Sequence, residues 1–275
     1  MEFIIALIIG FFLSLKWITN KILLIEKWFK WDEVVFLRYL FALIFTLALI
    51  FFYPNEWGFS VIIILLIFLI SLIDFIWTNL TQKYFKLHPN SSFQNFLWSF
   101  VSIVYIPIWY FILNEPVFIN DLIWVFIIWV VVYMINSFKD LNLKSLLLLW
   151  IVLTRLGAIF FIWYYISLWW YFLILLISIY LFVLISYYLK FTIKPFVISK
   201  IGFVSLLDSL FFTIASIWSF YLFEILKSYE VKIYLLSTFF FNTILFYLFF
   251  KEKYILKKII LSLFIILWLI IMNLK

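Results

Sequence analysis

The sequence predicts an all-α membrane protein of ten transmembrane helices, arranged as two inverted five-helix repeats. Three observations carry this expectation. First, 69% of the 275 residues are hydrophobic and the mean hydropathy is +1.26, more apolar surface than the interior of a soluble chain of this length can hide. Second, apolar runs of about 18 residues or more recur from end to end, each long enough to cross a bilayer as a helix. The sustained alternation of a membrane β-barrel is absent. Third, features return at about half the chain length. Ser71-Leu72-Ile73-Asp74 recurs as Ser205-Leu206-Leu207-Asp208, 134 residues later; Lys16 answers to Arg155 after 139; Asn114-Glu115 answers to Lys251-Glu252 after 137.

The first run, 3–24, follows Met1-Glu2 without a basic leader segment or a small-residue cleavage site, and reads as a retained helix. The second, 33–53, stops at Pro54-Asn55-Glu56, a turn signal. The third, 59–80, gives way to a polar link over 81–90 that contains His88-Pro89-Asn90. The fourth, 91–113, is kinked at Pro107 and closes on Asn114-Glu115-Pro116. The fifth spans 118–136. The polar link from Asn136 to Lys144 then divides the chain into repeats 1–139 and 140–275. Spans 145–165, 168–189, 199–222, 231–250 and 255–274 follow, with Lys194-Pro195 ahead of the eighth. Five spans per repeat is odd, so the second repeat enters the membrane upside down relative to the first.

Lysines orient the chain. Loops 21–31, 81–90, 137–144, 190–200 and 251–258 carry 14 lysines, while the opposite side has Lys227, Lys232 and Lys275. The positive-inside rule makes the first side cytoplasmic and puts both termini outside a multi-pass protein of the cell membrane. The net charge of +7 thus serves topology and gives no reason to expect nucleic acid as a partner. The chain lacks cysteine, and its one histidine, His88, sits in a loop. A metal site needs several ligands, so neither metal nor cofactor is expected. No HExxH, GxSxG, DxxD or Gly-rich phosphate loop occurs, which argues against an enzyme.

Five charges lie deep inside the spans, away from their ends: Lys16, Arg38, Asp74, Arg155 and Asp208. With alternate helices antiparallel, all five lean toward the lysine-rich side at a similar depth. Each costs about 2.5–3.5 kcal/mol at the bilayer centre, so they must face protein or water. Mutual pairing that merely holds helices together would account for them. Arg38, nearest an interface, also reads as a snorkelling side chain. Asp74 and Asp208 are too short to snorkel. Beside Asp208, the small polar residues Gly202, Ser205, Ser209, Thr213 and Ser216 recur at helical spacing. Such a stripe lines a polar path or packs helices closely. Asn95 and Ser99 with Ser102 repeat the pattern in the fourth span, and Thr238 with Asn242 in the ninth.

The layout resembles the EamA-type branch of the drug/metabolite transporter superfamily, through Phe36-Leu37-Arg38-Tyr39, Thr81-Gln82-Lys83-Tyr84, Asn114-Glu115-Pro116-Val117 and Lys251-Glu252-Lys253-Tyr254. The chain departs from that family in having four glycines and in carrying Ser102 where a proline is common. The resemblance implies two five-helix halves around a central cavity, both termini in the cytoplasm, and export of small metabolites, amino acids or related solutes.

The expectation is therefore a secondary transporter, an exporter of small polar metabolites such as amino acids, working by alternating access. Its substrate residues would be Lys16, Asp74, Arg155, Asp208, Ser205, Ser209, Thr213, Asn95, Ser99 and Asn242. Asp74 and Asp208 are the groups on which a coupling proton would ride. The partners are a small-molecule substrate and the lipid bilayer, and the chain acts as a monomer or homodimer. A flippase for lipid or lipid phosphate is one alternative, and a non-transporting membrane scaffold or assembly subunit is another.

The lysine asymmetry makes a direct prediction. Single cysteines at Ser91 and Thr192 should resist a membrane-impermeant thiol reagent in intact cells and react once the cells are opened. Labelling of both from outside would reverse the assigned orientation.

Overall fold

In the computed structural model, residues 2–26, 29–50, 60–87, 146–168, 172–191, 202–225 and 238–251 are described, with isolated positions at 123, 126, 130, 259, 260, 263 and 267. Their regular structure is helical throughout. The elements are α1 (Glu2–Lys21), extended by a π turn (Ile22–Glu26), α2 (Trp31–Ile50), α3 (Val61–Leu87), α4 (Leu146–Leu168), α5 (Phe172–Phe191), α6 (Phe203–Ile225) and α7 (Thr238–Phe250). The spans expected at 91–113 and 118–136, and most of 255–274, fall outside the described residues.

Among the described residues, four segments are long and apolar enough to cross a membrane: Ile4–Ile25, Val61–Lys86, Phe172–Lys190 and Phe203–Tyr221. Trp150–Ile166 and Phe240–Phe250 are shorter apolar helices. The architecture is consistent with an all-α membrane protein. Its outer surface suits lipid: Val61, Ile62, Ile64, Leu65 and Phe68 on α3, and Leu181, Ile185 and Leu189 on α5, are all exposed.

Local chemistry sets the helix ends. The Lys30 backbone N–H donates to the Glu33 carboxylate at 3.0 Å, and Asp32 and Glu33 stand in the first turn of α2, where the helix dipole favours negative charge. The Ser60 hydroxyl accepts from the Ile63 N–H at 3.3 Å and caps α3. Lys251 ends α7 with φ of 49°, its N–H donating to the Tyr247 carbonyl at 2.8 Å. One boundary differs from expectation. The stretch from Thr81, expected to open a polar link, is helical as far as Leu87. No breaker occurs before Pro89, and the segment is itself amphipathic: Thr81, Gln82, Tyr84 and Phe85 are buried while Lys83 and Lys86 are exposed.

Side-chain contacts fix the helix directions. Phe12 meets Phe211 and Thr19 meets Asp208, so α1 and α6 are antiparallel. The Ser14 hydroxyl donates to the Thr238 carbonyl at 3.2 Å, and Lys21 lies over Phe250, so α1 and α7 run parallel. Tyr39–Tyr180 and Trp31–Tyr187 make α2 antiparallel to α5; Phe68–Phe182 and Phe75–Tyr187 make α3 parallel to α5. On α4, Gly157 faces Ile73 and Arg155 faces Trp77, so α3 and α4 are antiparallel. The ends of α1, α3, α5 and α7 therefore gather on one side of the bundle with Lys21, Lys86, Lys190 and Lys251, which is the lysine-rich side.

With few glycines to let backbones meet, ring edges join the helices instead. Tyr39–Tyr180 and Phe68–Phe182 are edge-to-face at 5.4 and 5.5 Å between centroids, a geometry worth roughly 0.5–1.5 kcal/mol per pair beyond burial.

The parallel packing of α3 and α5 can be checked by crosslinking. The cysteine pair F68C/F182C should be bridged by a short bifunctional thiol reagent, whereas F68C/L189C should not. The opposite pattern would mean that the two helices run antiparallel.

Candidate functional site

Two polar constructions occupy the middle of the bundle, one above the other. The one nearer the lysine-rich side is a closed network. Asp208, near the start of α6, accepts two hydrogen bonds from Arg38 on α2, from Nε at 2.7 Å and Nη2 at 3.2 Å. Its Oδ1 also accepts from the Thr19 hydroxyl at 2.8 Å. Arg38 Nη2 reaches on to the Asn20 amide oxygen at 3.0 Å, and the Asn20 amide nitrogen donates to the Gln82 side-chain oxygen at 2.9 Å. The network ties α1, α2, α3 and α6 together. Arg38 is 2% and Asp208 1% exposed, so the pair is stable only because each member satisfies the other.

Arg38 therefore does not snorkel, contrary to the sequence expectation. The carboxylate of Asp208 lies within reach on the parallel helix α6, and pairing inside the protein removes the need to reach an interface. The small stripe on α6 makes the close approach feasible. Ser209 donates to the Ser205 carbonyl at 2.9 Å and makes a longer contact, 3.4 Å, to the Leu37 carbonyl of α2. Thr213 donates to the Ser209 carbonyl at 2.8 Å. These hydroxyls return to their own helix backbone and leave a narrow face for α2.

The second construction is a cavity of about 90 Å³ toward the opposite side of the bundle. Its charged lining is Lys16 from α1, Asp74 from α3 and Arg155 from α4. Trp77, Tyr180, Phe212 and Ser216 share the wall, and Ile159, Ile162, Leu176 and Ile179 make the rest largely apolar. The Asp74 carboxylate accepts from the Tyr39 hydroxyl at 2.8 Å, and that hydroxyl also contacts the Thr78 hydroxyl at 2.9 Å. Arg155 lies over the Trp77 ring at 4.4 Å. The Lys16 ammonium lies over Trp17 at 3.7 Å and is 5.7 Å from the Phe212 ring centre. It is 4% exposed and has no hydrogen-bond or ion-pair partner among the described residues.

Between cavity and network lies an aromatic floor. Tyr39, Tyr180 and Phe212 meet one another at 5.3 to 5.7 Å and join α2, α5 and α6. A void of about 10 Å³ beside it is lined by Lys16, Trp17, Arg38, Trp77, Thr81 and Gln82 among others. That is room for about one water, and the Thr81 hydroxyl and the Trp17 and Trp77 indole N–H groups on its wall have no hydrogen-bond partner among the described residues.

Of the substrate residues expected from sequence, Lys16, Asp74 and Arg155 thus share one wall. Asp208 does not line the cavity; it is held in the network by Arg38. Ser205, Ser209 and Thr213 are buried in the α6 interface rather than on the cavity wall, and the Ser205 hydroxyl has no hydrogen-bond partner among the described residues. Asn242 on α7 is fully buried, and neither amide atom is hydrogen-bonded among the described residues. Asn95 and Ser99 lie outside the described residues. Sequence reasoning did not assign Thr19, Asn20, Tyr39 or Gln82 to the site. The adjacent polar pair Thr19-Asn20 at the end of an apolar run was the available signal.

The network predicts a specific pattern of stability. Arg38→Met should cost about 3–5 kcal/mol, because it leaves the Asp208 carboxylate buried and alone. The double change Arg38→Met with Asp208→Leu should recover most of that loss. Thermal unfolding of the purified variants measures both, and an unaffected Arg38→Met would show that the pair is dispensable.

No protein-family model matches the chain, and no curated protein matches it.

Proposed function

We propose that the chain is a secondary transporter of small polar metabolites, with the cavity at Lys16, Asp74 and Arg155 as its substrate site. One observation carries the reading: three charged side chains from three helices, Lys16 on α1, Asp74 on α3 and Arg155 on α4, converge on one largely apolar cavity. A small cavity with a few convergent polar groups is what binding sites for small molecules look like. Charge kept at membrane depth despite its cost belongs to transport paths. A scaffold reading expects each buried charge to be paired, and the Lys16 ammonium counts against it.

The ten-span, inverted-repeat layout draws support from the helix directions. Antiparallel α3 and α4 need an even number of crossings between them, and residues 88–145 hold two apolar runs. Exchanging the two repeats maps the α1–α6 contact onto α4–α3, and the α2–α6 contact onto α5–α3. All of these neighbours occur. This is the neighbour pattern of a pseudo-two-fold axis in the membrane plane, and it favours the EamA-type layout. On that layout the Arg38–Asp208 network seals the lysine-rich side of the bundle in the described state. Opening it while closing the far side would complete alternating access.

Asp74 is the acid left for substrate or proton. Asp74→Asn should abolish or uncouple solute flux in proteoliposomes while the protein still folds, since the amide keeps the shape and can still accept from Tyr39. Asp208→Asn should instead act mainly through lowered stability. Undiminished flux with Asp74→Asn would reject the site.

A further inference from the structure

An ammonium and a carboxylate face the same cavity without meeting. Lys16 and Asp74 both line it, yet no ion pair joins them among the described residues. Behind the cavity wall a second route runs between them. The Asp74 carboxylate accepts from the Tyr39 hydroxyl at 2.8 Å, and that hydroxyl meets the Thr78 hydroxyl at 2.9 Å. Thr78 stands one turn beyond Asp74 on the same face of α3. It also lines the void of about 10 Å³, as do Tyr39 and Lys16. The Lys16 ammonium is 3.7 Å from the ring centre of Trp17, which borders the void and not the cavity. The void has room for about one water, and a buried water needs about two to four polar partners. Lys16, Thr78 and Thr81 supply them, and the Thr81 hydroxyl has no hydrogen-bond partner among the described residues.

We infer that Tyr39, Thr78 and one water in this void form a proton relay between Lys16 and Asp74. The ammonium gives a proton to the water, and the water gives one to the Thr78 hydroxyl. Thr78 gives one to Tyr39, and Tyr39 gives one to the Asp74 carboxylate. Each oxygen on the way gains one proton and loses one, so an ammonium and a carboxylate become an amine and a carboxylic acid. The reverse sequence restores them. Two separated charges in largely apolar surroundings are thereby exchanged for two neutral groups. The other charged and titratable groups around the route are Arg38 on α2, Arg155 on α4, Tyr180 and Tyr187 on α5, and Asp208 on α6. Arginines keep their protons, and Asp208 is held by Arg38 at 2.7 Å. Neither Tyr180 nor Tyr187 borders the void. Lys16 is therefore the donor beside it. The relay stands on this geometry alone. Its use, to load and unload a coupling proton on Asp74 while a solute occupies the cavity, rests on the reading of the cavity as a substrate site.

The purified full-length chain in lipid, given protons from a caged acid released by light, should develop the infrared carbonyl band of a protonated carboxylic acid. Asp74→Asn should remove that band. Thr78→Val breaks the relay and leaves the Tyr39–Asp74 bond in place, so it should slow the rise of the band at least about tenfold. Thr78→Ser keeps the hydroxyl and should restore the rate. Lys16→Met removes the donor and should slow the rise as Thr78→Val does. A native rate in Thr78→Val would mean that the proton crosses the cavity instead, and would overturn the relay. So would a native rate in a folded Lys16→Met variant, or the absence of an Asp74 band in the native chain. If Lys16→Met fails to fold, the contrast between Thr78→Val and Thr78→Ser decides alone. Solute flux into proteoliposomes separates the relay from the transport reading. A band slowed by Thr78→Val in a chain that moves no solute sustains the relay and rejects transport. Solute flux in the native chain, with a native rate in Thr78→Val, sustains transport and rejects the relay.

Discussion

The bidentate pair of Arg38 and Asp208 is the constraint on which the centre of this bundle depends. Two full charges at membrane depth must each find a partner, and here they find one another across α2 and α6. Once placed, they dictate the rest of the network. The spare oxygen capacity of Asp208 draws in Thr19, and the spare nitrogen of Arg38 draws in Asn20, which in turn holds Gln82. Four helices are thereby registered against one another along their length. In lipid, where apolar packing alone discriminates weakly between registers, a satisfied polar network supplies the specificity that burial cannot.

The pair also separates two acids that look equivalent. Asp74 and Asp208 end matching tetrapeptides, yet one borders a cavity and the other is locked in an ion pair. The difference lies on the neighbouring helix. A shift of 137 residues, the offset of the matched glutamates, carries Arg38 to Leu175, and the only cation within α5 is Lys190 at its far end. The first acid therefore has no guanidinium from the helix corresponding to α2 and settles for the Tyr39 hydroxyl, 2.8 Å away. Two matching tetrapeptides thus end in different surroundings, one acid held by a guanidinium and the other by a phenol hydroxyl.

Much of this was legible in the sequence, for reasons that are specific. Apolar runs of bilayer length admit no other architecture, so the helical class followed directly. The convergence of Lys16, Asp74 and Arg155 followed from depth, because residues at one level on neighbouring helices have few places to go. What stayed hidden was pairing. Depth places Arg38 as well near the surface as near Asp208, and only the parallel contact of α2 with α6 decides between them. The stripe of Ser205, Ser209 and Thr213 was ambiguous for a similar reason: small polar residues serve a path or an interface equally, and their hydroxyls here turn back to their own backbone. The extension of α3 past Thr81 was missed because its polar residues resemble a loop until the burial of Gln82, Tyr84 and Phe85 shows one face turned inward.

That extension makes α3 unlike its neighbours. Its 27 residues rise about 40 Å at ~1.5 Å per residue, whereas the 20 residues of α2 and of α5 rise about 30 Å, close to the hydrocarbon thickness of an average bilayer. A helix that overshoots the slab must tilt or carry its end into the headgroups. Lys83 and Lys86, both exposed, are suited to that layer. A thinner or thicker bilayer therefore acts first on the inclination of α3. The same helix bears Asp74 on the cavity wall and Gln82 in the network, so bilayer thickness reaches both through a single lever.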